Sequence, residues 1–206
     1  FRPMAAPTAA DLCGTTRHVT IDELLDKFHL AAAGGDLKAY FGCFAMAGSR
    51  FLGTDPNENW TAAEFLDYCR PVFNGVKAWK YDPIEGTRKI DIVYDDNQAE
   101  PESRRVLCAT FDELLNSESF GAISRGNGTL CLRDGFWYIV QYHLSFPLPN
   151  ELAHNMCKQI ATFQRKNPRT SESDVKAAKA LAEEAARELL ADEAAQGRTK
   201  DKKKNK

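Results

Sequence analysis

Apolar residues recur at helical spacing up to about residue 75, then at every second position from about 77 to 146. That one change of period limits the fold more than any other feature. Helices come first and long strands follow, which predicts an α+β plan with helices on one face of a curved antiparallel sheet. The helical part has clear punctuation. Thr20-Ile21-Asp22-Glu23 and Thr61-Ala62-Ala63-Glu64 are capping boxes. The first starts a helix over 21–33, with Leu24, Leu25, Phe28 and Ala32 inward, stopped by Gly34-Gly35. Asp36 caps a second helix carrying Leu37, Tyr40, Phe41 and Phe44. The third helix turns Phe65, Cys69, Val72 and Phe73 inward.

A short strand is expected at 50–54, and longer ones at 77–82, 88–94, 104–115, 120–132 and 136–146. Pro147 and Pro149 end the sheet. Five or six strands covered by three helices enclose a cone, and the mouth of a cone is a place for a ligand. Gly126 and Gly128 are expected to make a bulge that bends the sheet. Residues 150–164 read as a short helix or a strap, closing a domain over 19–164. Residues 1–18 read as a flexible lead-in. Residues 165–206 read as a charged helical tail with a Lys-rich, disordered end.

Charge excludes some functions. The chain has 206 residues and a net charge of −2, with its basic excess confined to the tail. The acidic body gives no support for nucleic-acid binding. No phosphate loop occurs, because RGNGTL (125–130) lacks the Lys and the helix that such a cradle needs. No run of 18 apolar residues is present, so no membrane span is expected. The six cysteines form neither C-x-x-C pairs nor zinc spacings. They point to a reducing intracellular compartment, the cytoplasm or an organelle matrix or stroma. No metal site is expected, since His154 has no second His nearby.

The segments LAAAGGDLKAYFGCFA, RFLGTDPNENWTAAEF and ATFDELLNSESFGAISRGNGTLCLRDGFWYIVQYHLSFPLPN are spread over residues 20–150. Their order and spacing resemble the SnoaL-like branch of the nuclear-transport-factor-2-like superfamily. The resemblance implies a cone-shaped α+β barrel, often dimeric through the outer sheet face, with no metal and no organic cofactor. It does not imply one reaction, because the superfamily holds isomerases, cyclases, dehydratases, kinase association domains and structural subunits.

Candidate site residues follow. Asp112 alternates with Phe111 on a buried strand, and a desolvated carboxylate suits a general base. The resemblance places Asp112 toward the cone. The alternative is that Asp112 or Glu113 pairs with Arg125 or Arg105 across the sheet. Trp60, ahead of the third helix, is either a stacking wall at the mouth or a staple for the helix entry. His29, beside Phe28, sits on a helix that lines the pocket in cyclase-like relatives; the alternative is an exposed or satisfied core histidine. On the last strand, Phe136, Tyr138, Val140, Tyr142 and Leu144 are assigned to the concave face. Trp137, Ile139, Gln141, His143 and Ser145 are assigned to the outer one, where Gln141, His143 and Ser145 would serve a homodimer interface. Tyr142 becomes the oxyanion donor, with Trp60, His29, Phe28 and Arg125 as ligand contacts.

Two functions remain open. One is a small-molecule pocket protein, with cofactor-free acid/base chemistry on an apolar carbonyl ligand. The other is a non-catalytic assembly subunit that dimerises through its sheet and docks a protein partner with its C-terminal helix.

Overall fold

The structure is a computed structural model that describes residues 6–45, 47–73, 79–95, 105–117 and 120–167. Two compact units divide the chain, Phe1–Pro147 and Leu148–Lys206. The boundary therefore falls at the proline pair rather than at 164. The helix expected over 171–195 lies outside the described residues.

The first unit opens with a short helix α1 (Ala9–Leu12), capped by Thr8 and burying Ala9 and Leu12. This corrects the reading of 1–18 as a flexible lead-in: the segment contributes to the core from Ala9 onward. Three helices follow, α2 (Ile21–Gly34), α3 (Leu37–Gly42) and α4 (Ala62–Cys69). Their N-cap residues are the expected ones, but only Thr61 and Glu64 close a reciprocal box; the Glu23 carboxylate accepts from the Val19 N–H instead. The Thr20 and Thr61 hydroxyls accept from the Glu23 and Glu64 backbone N–H groups, and the Asp36 carboxylate accepts from the Ala39 N–H. Gly35 ends α2 in the left-handed region at φ 66°, where a Cβ would be strained.

Among the described residues, seven strands form one sheet: β1 (Arg50–Leu52), β2 (Asn59–Thr61), β3 (Tyr81–Pro83), β4 (Lys89–Tyr94), β5 (Val106–Ser117), β6 (Ile123–Arg133) and β7 (Phe136–Ser145). The order is β2-β1-β7-β6-β5-β3, with β4 also paired to β5. The sheet is mixed rather than purely antiparallel. β1 lies parallel to β7, with Phe51 beside Tyr142; the two are far apart in sequence, with β2, α4 and β3–β6 between them, so no hairpin joins them. The extra strand β2 arises because residues 52–59 fold back as a tight loop and pair Trp60 with Phe51.

The concave face of β5 carries Ala109, Phe111, Glu113 and Leu115, all buried. Against it lie Leu24, Leu25 and Phe28 of α2, Phe41 and Phe44 from the α3 region, and Phe65 of α4. Each such aliphatic or aromatic side chain contributes about 1.5–3 kcal/mol by leaving water. Pairing of β6 with β7 slips between Thr129 and Leu130, which leaves Val140 without an opposite residue. The bulge thus lies just beyond the two glycines, and Gly126 and Gly128 serve close approach instead. A Cβ on Gly126 would sit 2.3 Å from the Tyr142 hydroxyl, and one on Gly128 would sit 2.0 Å from the Gln141 carbonyl oxygen.

The second unit contains α5 (Asn150–Lys166), so this segment is a helix rather than a strap. Leu152, Met156, Ile160 and Phe163 make an exposed apolar stripe along it. Among the described residues, no helix is long and apolar enough to cross a membrane.

Candidate functional site

Helix α2, the β1–β2 hairpin, helix α4, residues 79–81 and the end of β7 surround one aromatic cavity of about 90 Å³. That is room for several waters or one small molecule. Its deep wall is buried: Phe28, His29 and Ala32 from α2, Tyr40, Phe51, Tyr142 and Leu144. The outer wall includes the half-buried Glu58, Trp60, Tyr68, Trp79 and Tyr81, with the exposed Thr54 and Phe120 at the rim. Many of the rings run parallel. Phe51 lies 13° from the plane of Tyr142, Trp60 13° from Phe65, and Trp79 6° from Phe65. The rings stack on one another and give the cavity a rigid aromatic wall.

Behind His29 lies a buried ionic network. His29 Nε2 is 2.6 Å from Glu113 Oε1, and the Glu113 residue is 0% exposed. Arg88 Nε donates to Glu113 Oε2 at 2.8 Å. The other Arg88 nitrogens donate to Asp22 and Asp26, each at 2.9 Å. Burial alone would push the Glu113 carboxyl up, but the hydrogen bonds and charges of His29 and Arg88 outweigh it and hold the group below the usual range. An ionised carboxylate only accepts, so His29 Nε2–H donates to Glu113 Oε1. This is how a carboxylate fixes a catalytic imidazole in many enzymes.

Burial, with the Glu113 charge nearby, keeps the Tyr142 phenol well above its ordinary range. Burial does the same for Tyr40. Both therefore remain O–H donors at the cavity.

The sequence candidates divide cleanly. Phe28, His29, Trp60 and Tyr142 all line the cavity. Asp112 does not: its side chain is 43% exposed on the outer face and pairs with Arg125 at 3.2 Å. This corrects the placement of Asp112 toward the cone and of Arg125 as a ligand contact. The alternation along β5 is as read, but the buried set is the one with Ala109, Phe111 and Leu115, so Glu113 is the carboxylate that turns inward. Gln141, His143 and Ser145 lie on the outer side, Gln141 exposed and the other two half-buried. Trp137 and Ile139, assigned to that outer face, are buried in the core, because the slip at Val140 reverses the phase of β7.

Exposed ion pairs contribute little. Asp112→Asn is therefore expected to change unfolding free energy by under about 0.5 kcal/mol in a urea titration. Ligand binding should be unaltered.

Residues missed in the sequence are Glu113 as an inward group, Arg88, Tyr40, Glu58, Tyr68, Trp79 and Tyr81. Trp79 and Tyr81 share a strand-period face, a signal that was present. A His/Cys contact, His18 Nε2 to Cys43 Sγ at 3.9 Å, is not an activated nucleophile: burial pushes the Cys43 thiol up to about 12. No group of three or more His, Cys, Asp or Glu among the described residues is placed to hold a metal ion.

The model of a SnoaL-like domain matches residues 21–149. The chain belongs to the SnoaL-like family. No curated protein matches it. Solved structures similar to it include an NTF2-like protein of unknown function from Pseudomonas putida, 12% identical, covering 64% of this chain and 87% of that one at a TM-score of 0.45. A putative calcium/calmodulin-dependent protein kinase type II association domain from Thiobacillus denitrificans is 15% identical, covering 65% and 99%, with a TM-score of 0.41. A related association domain from Xanthomonas campestris is 20% identical, covering 63% and 86%, with a TM-score of 0.42. The family match, not these structures, is what places the chain.

Proposed function

We propose that the chain is a small-molecule pocket protein that performs proton transfer on a flat, carbonyl-bearing ligand without a cofactor. The observation that carries this reading is His29 in the cavity wall with its Nε2 held 2.6 Å from the buried Glu113. In this reading His29 Nδ1 accepts a proton from the carbon beside the ligand carbonyl. Tyr142, with Tyr40, donates a hydrogen bond to the oxygen on which charge develops. Phe28, Phe51 and Trp60 hold the ring plane and exclude water. Arg88 is a positioning residue, acting through Glu113. The six unpaired cysteines suit a reducing compartment.

The test uses a small cyclic enone in deuterated water, followed by NMR. Wild-type protein should accelerate exchange of the protons beside the carbonyl. His29→Gln should slow that exchange by about 10²-fold while binding, read from Trp fluorescence, persists. Ala32→Leu fills the cavity and should abolish both. Binding without exchange would leave a carrier rather than a catalyst; no binding would end the pocket reading.

A further inference from the structure

We propose that the outer half of this cavity recognises a small organic cation, an amine or alkylated ammonium group, with Glu58 as its counter-ion and Trp60, Tyr68, Trp79 and Tyr81 as its aromatic wall. The inference rests on the pocket reading and names the chemistry of the ligand's outer end.

The charge inventory comes first. Among the described residues, neither Lys nor Arg lines the cavity, and Glu58 is the one carboxylate that does. Glu58 makes no ion pair among the described residues. A half-buried carboxylate without a cation beside it costs free energy unless something arrives to share the site.

The carboxylate is also built into place. The β1–β2 hairpin closes on itself through Gly53 N–H to the Glu58 carbonyl at 2.8 Å and Glu58 N–H to the Asp55 carbonyl at 2.9 Å. Glu58 Oε2 accepts from the Asp55 N–H at 3.0 Å. A Cβ on Gly53 would stand 2.0 Å from that same oxygen, so the turn admits the folded-back side chain only because residue 53 is Gly. Oε1 has no protein partner among the described residues.

The walls complete the chemistry. Trp60 and Tyr68 lie 4.7 Å apart with 24° between their planes, and Tyr68 and Trp79 6.2 Å apart with 12°. The faces of Trp and Tyr rings carry negative quadrupole density and attract cations. Burial raises the Tyr68 phenol and pushes that of Tyr81 up to about 12, and the Glu58 charge adds to both shifts. An aromatic surface and an uncompensated carboxylate converging on a small cavity reject anions and favour a compact cation over a neutral group of equal shape. The ligand then has two ends: a carbonyl held by Tyr142 near His29, and a cationic group at the mouth.

Choline and its neutral isostere 3,3-dimethylbutan-1-ol separate charge from shape. In calorimetric titrations of the full chain, choline should bind at least about tenfold more tightly than the alcohol. Glu58→Gln should erase that difference while leaving the alcohol's affinity unchanged, and Trp79→Leu should weaken choline independently. Equal binding of the two probes, choline affinity unaltered by Glu58→Gln, or no binding of choline at millimolar concentration would each overturn the proposal. If the cyclic enone still binds in those cases, the pocket reading survives and only the cation site falls.

Discussion

Replacing Glu113 by Gln should lower the unfolding free energy by about 3 kcal/mol at neutral pH, since removing one member of a buried ionic set leaves the others unpaired. The amide is nearly isosteric, so the loss is electrostatic. Its NH₂ group would face a donor, either Arg88 or His29, in place of an accepting oxygen. Urea unfolding should show a lower midpoint with an unchanged slope. The pH dependence separates this cause from a packing defect. The folded-state pKa of Glu113 is depressed. Its contribution is therefore fully present above the unfolded value of about 4.3 and is lost as the pH falls through the lower folded value. The gap between wild type and variant should be widest at neutral pH and should close below about pH 4. A gap that stays constant across that range would show that the network is not ionic.

Gly128→Ala should be the most damaging change to the sheet, costing about 3 kcal/mol or preventing folding, because overpacking that moves backbone is the expensive kind. The added methyl would stand 2.0 Å from the Gln141 carbonyl oxygen and 3.0 Å from the Phe111 ring. A carbonyl within a strand cannot swing away without breaking the ladder that seats Tyr142. Gly126→Ala, whose methyl meets the Tyr142 hydroxyl, should cost less stability but more cavity function, since only a side chain must move. Thermal unfolding of the two variants beside the binding of the cyclic enone would distinguish them. Equal loss of stability in both would show that β7 yields to the added methyl at either position.

Local sequence rules were sufficient for the helices, because capping hydroxyls and the Gly35 stop act over a few residues. The strands were legible as strands, yet the inward face was not secured by alternation alone. On β5 the correct face follows from Phe111 and Leu115 flanking Glu113, and preferring Asp112 set aside that apolar company. On β7 strict alternation fails because Val140, an ordinary strand residue, sits opposite the register slip and leaves no trace in composition. The parallel pairing of β1 with β7 and the meeting of Arg88 with Asp22, Asp26 and Glu113 depend on contacts distant in sequence. No local pattern encodes them. Of the cavity wall, Phe28, His29, Trp60 and Tyr142 were therefore visible as candidates, while the group that orients His29 was visible only as an alternative.

The ionic set has a mechanical consequence. Asp22, Asp26 and His29 all belong to α2, and each connects to the sheet side through Arg88 or Glu113. Greasy contacts alone would let the helix slide or roll by a fraction of a turn with little penalty. Three polar anchors spread over two turns act as a keyed joint with one permitted setting. The cavity is thus a vice with one fixed jaw, carrying Phe28, His29 and Ala32, and an opposite jaw formed by the 53–58 loop and α4, free of those anchors. Selection, or an engineer, can reshape the second jaw to admit a different molecule while the proton-handling jaw keeps its alignment.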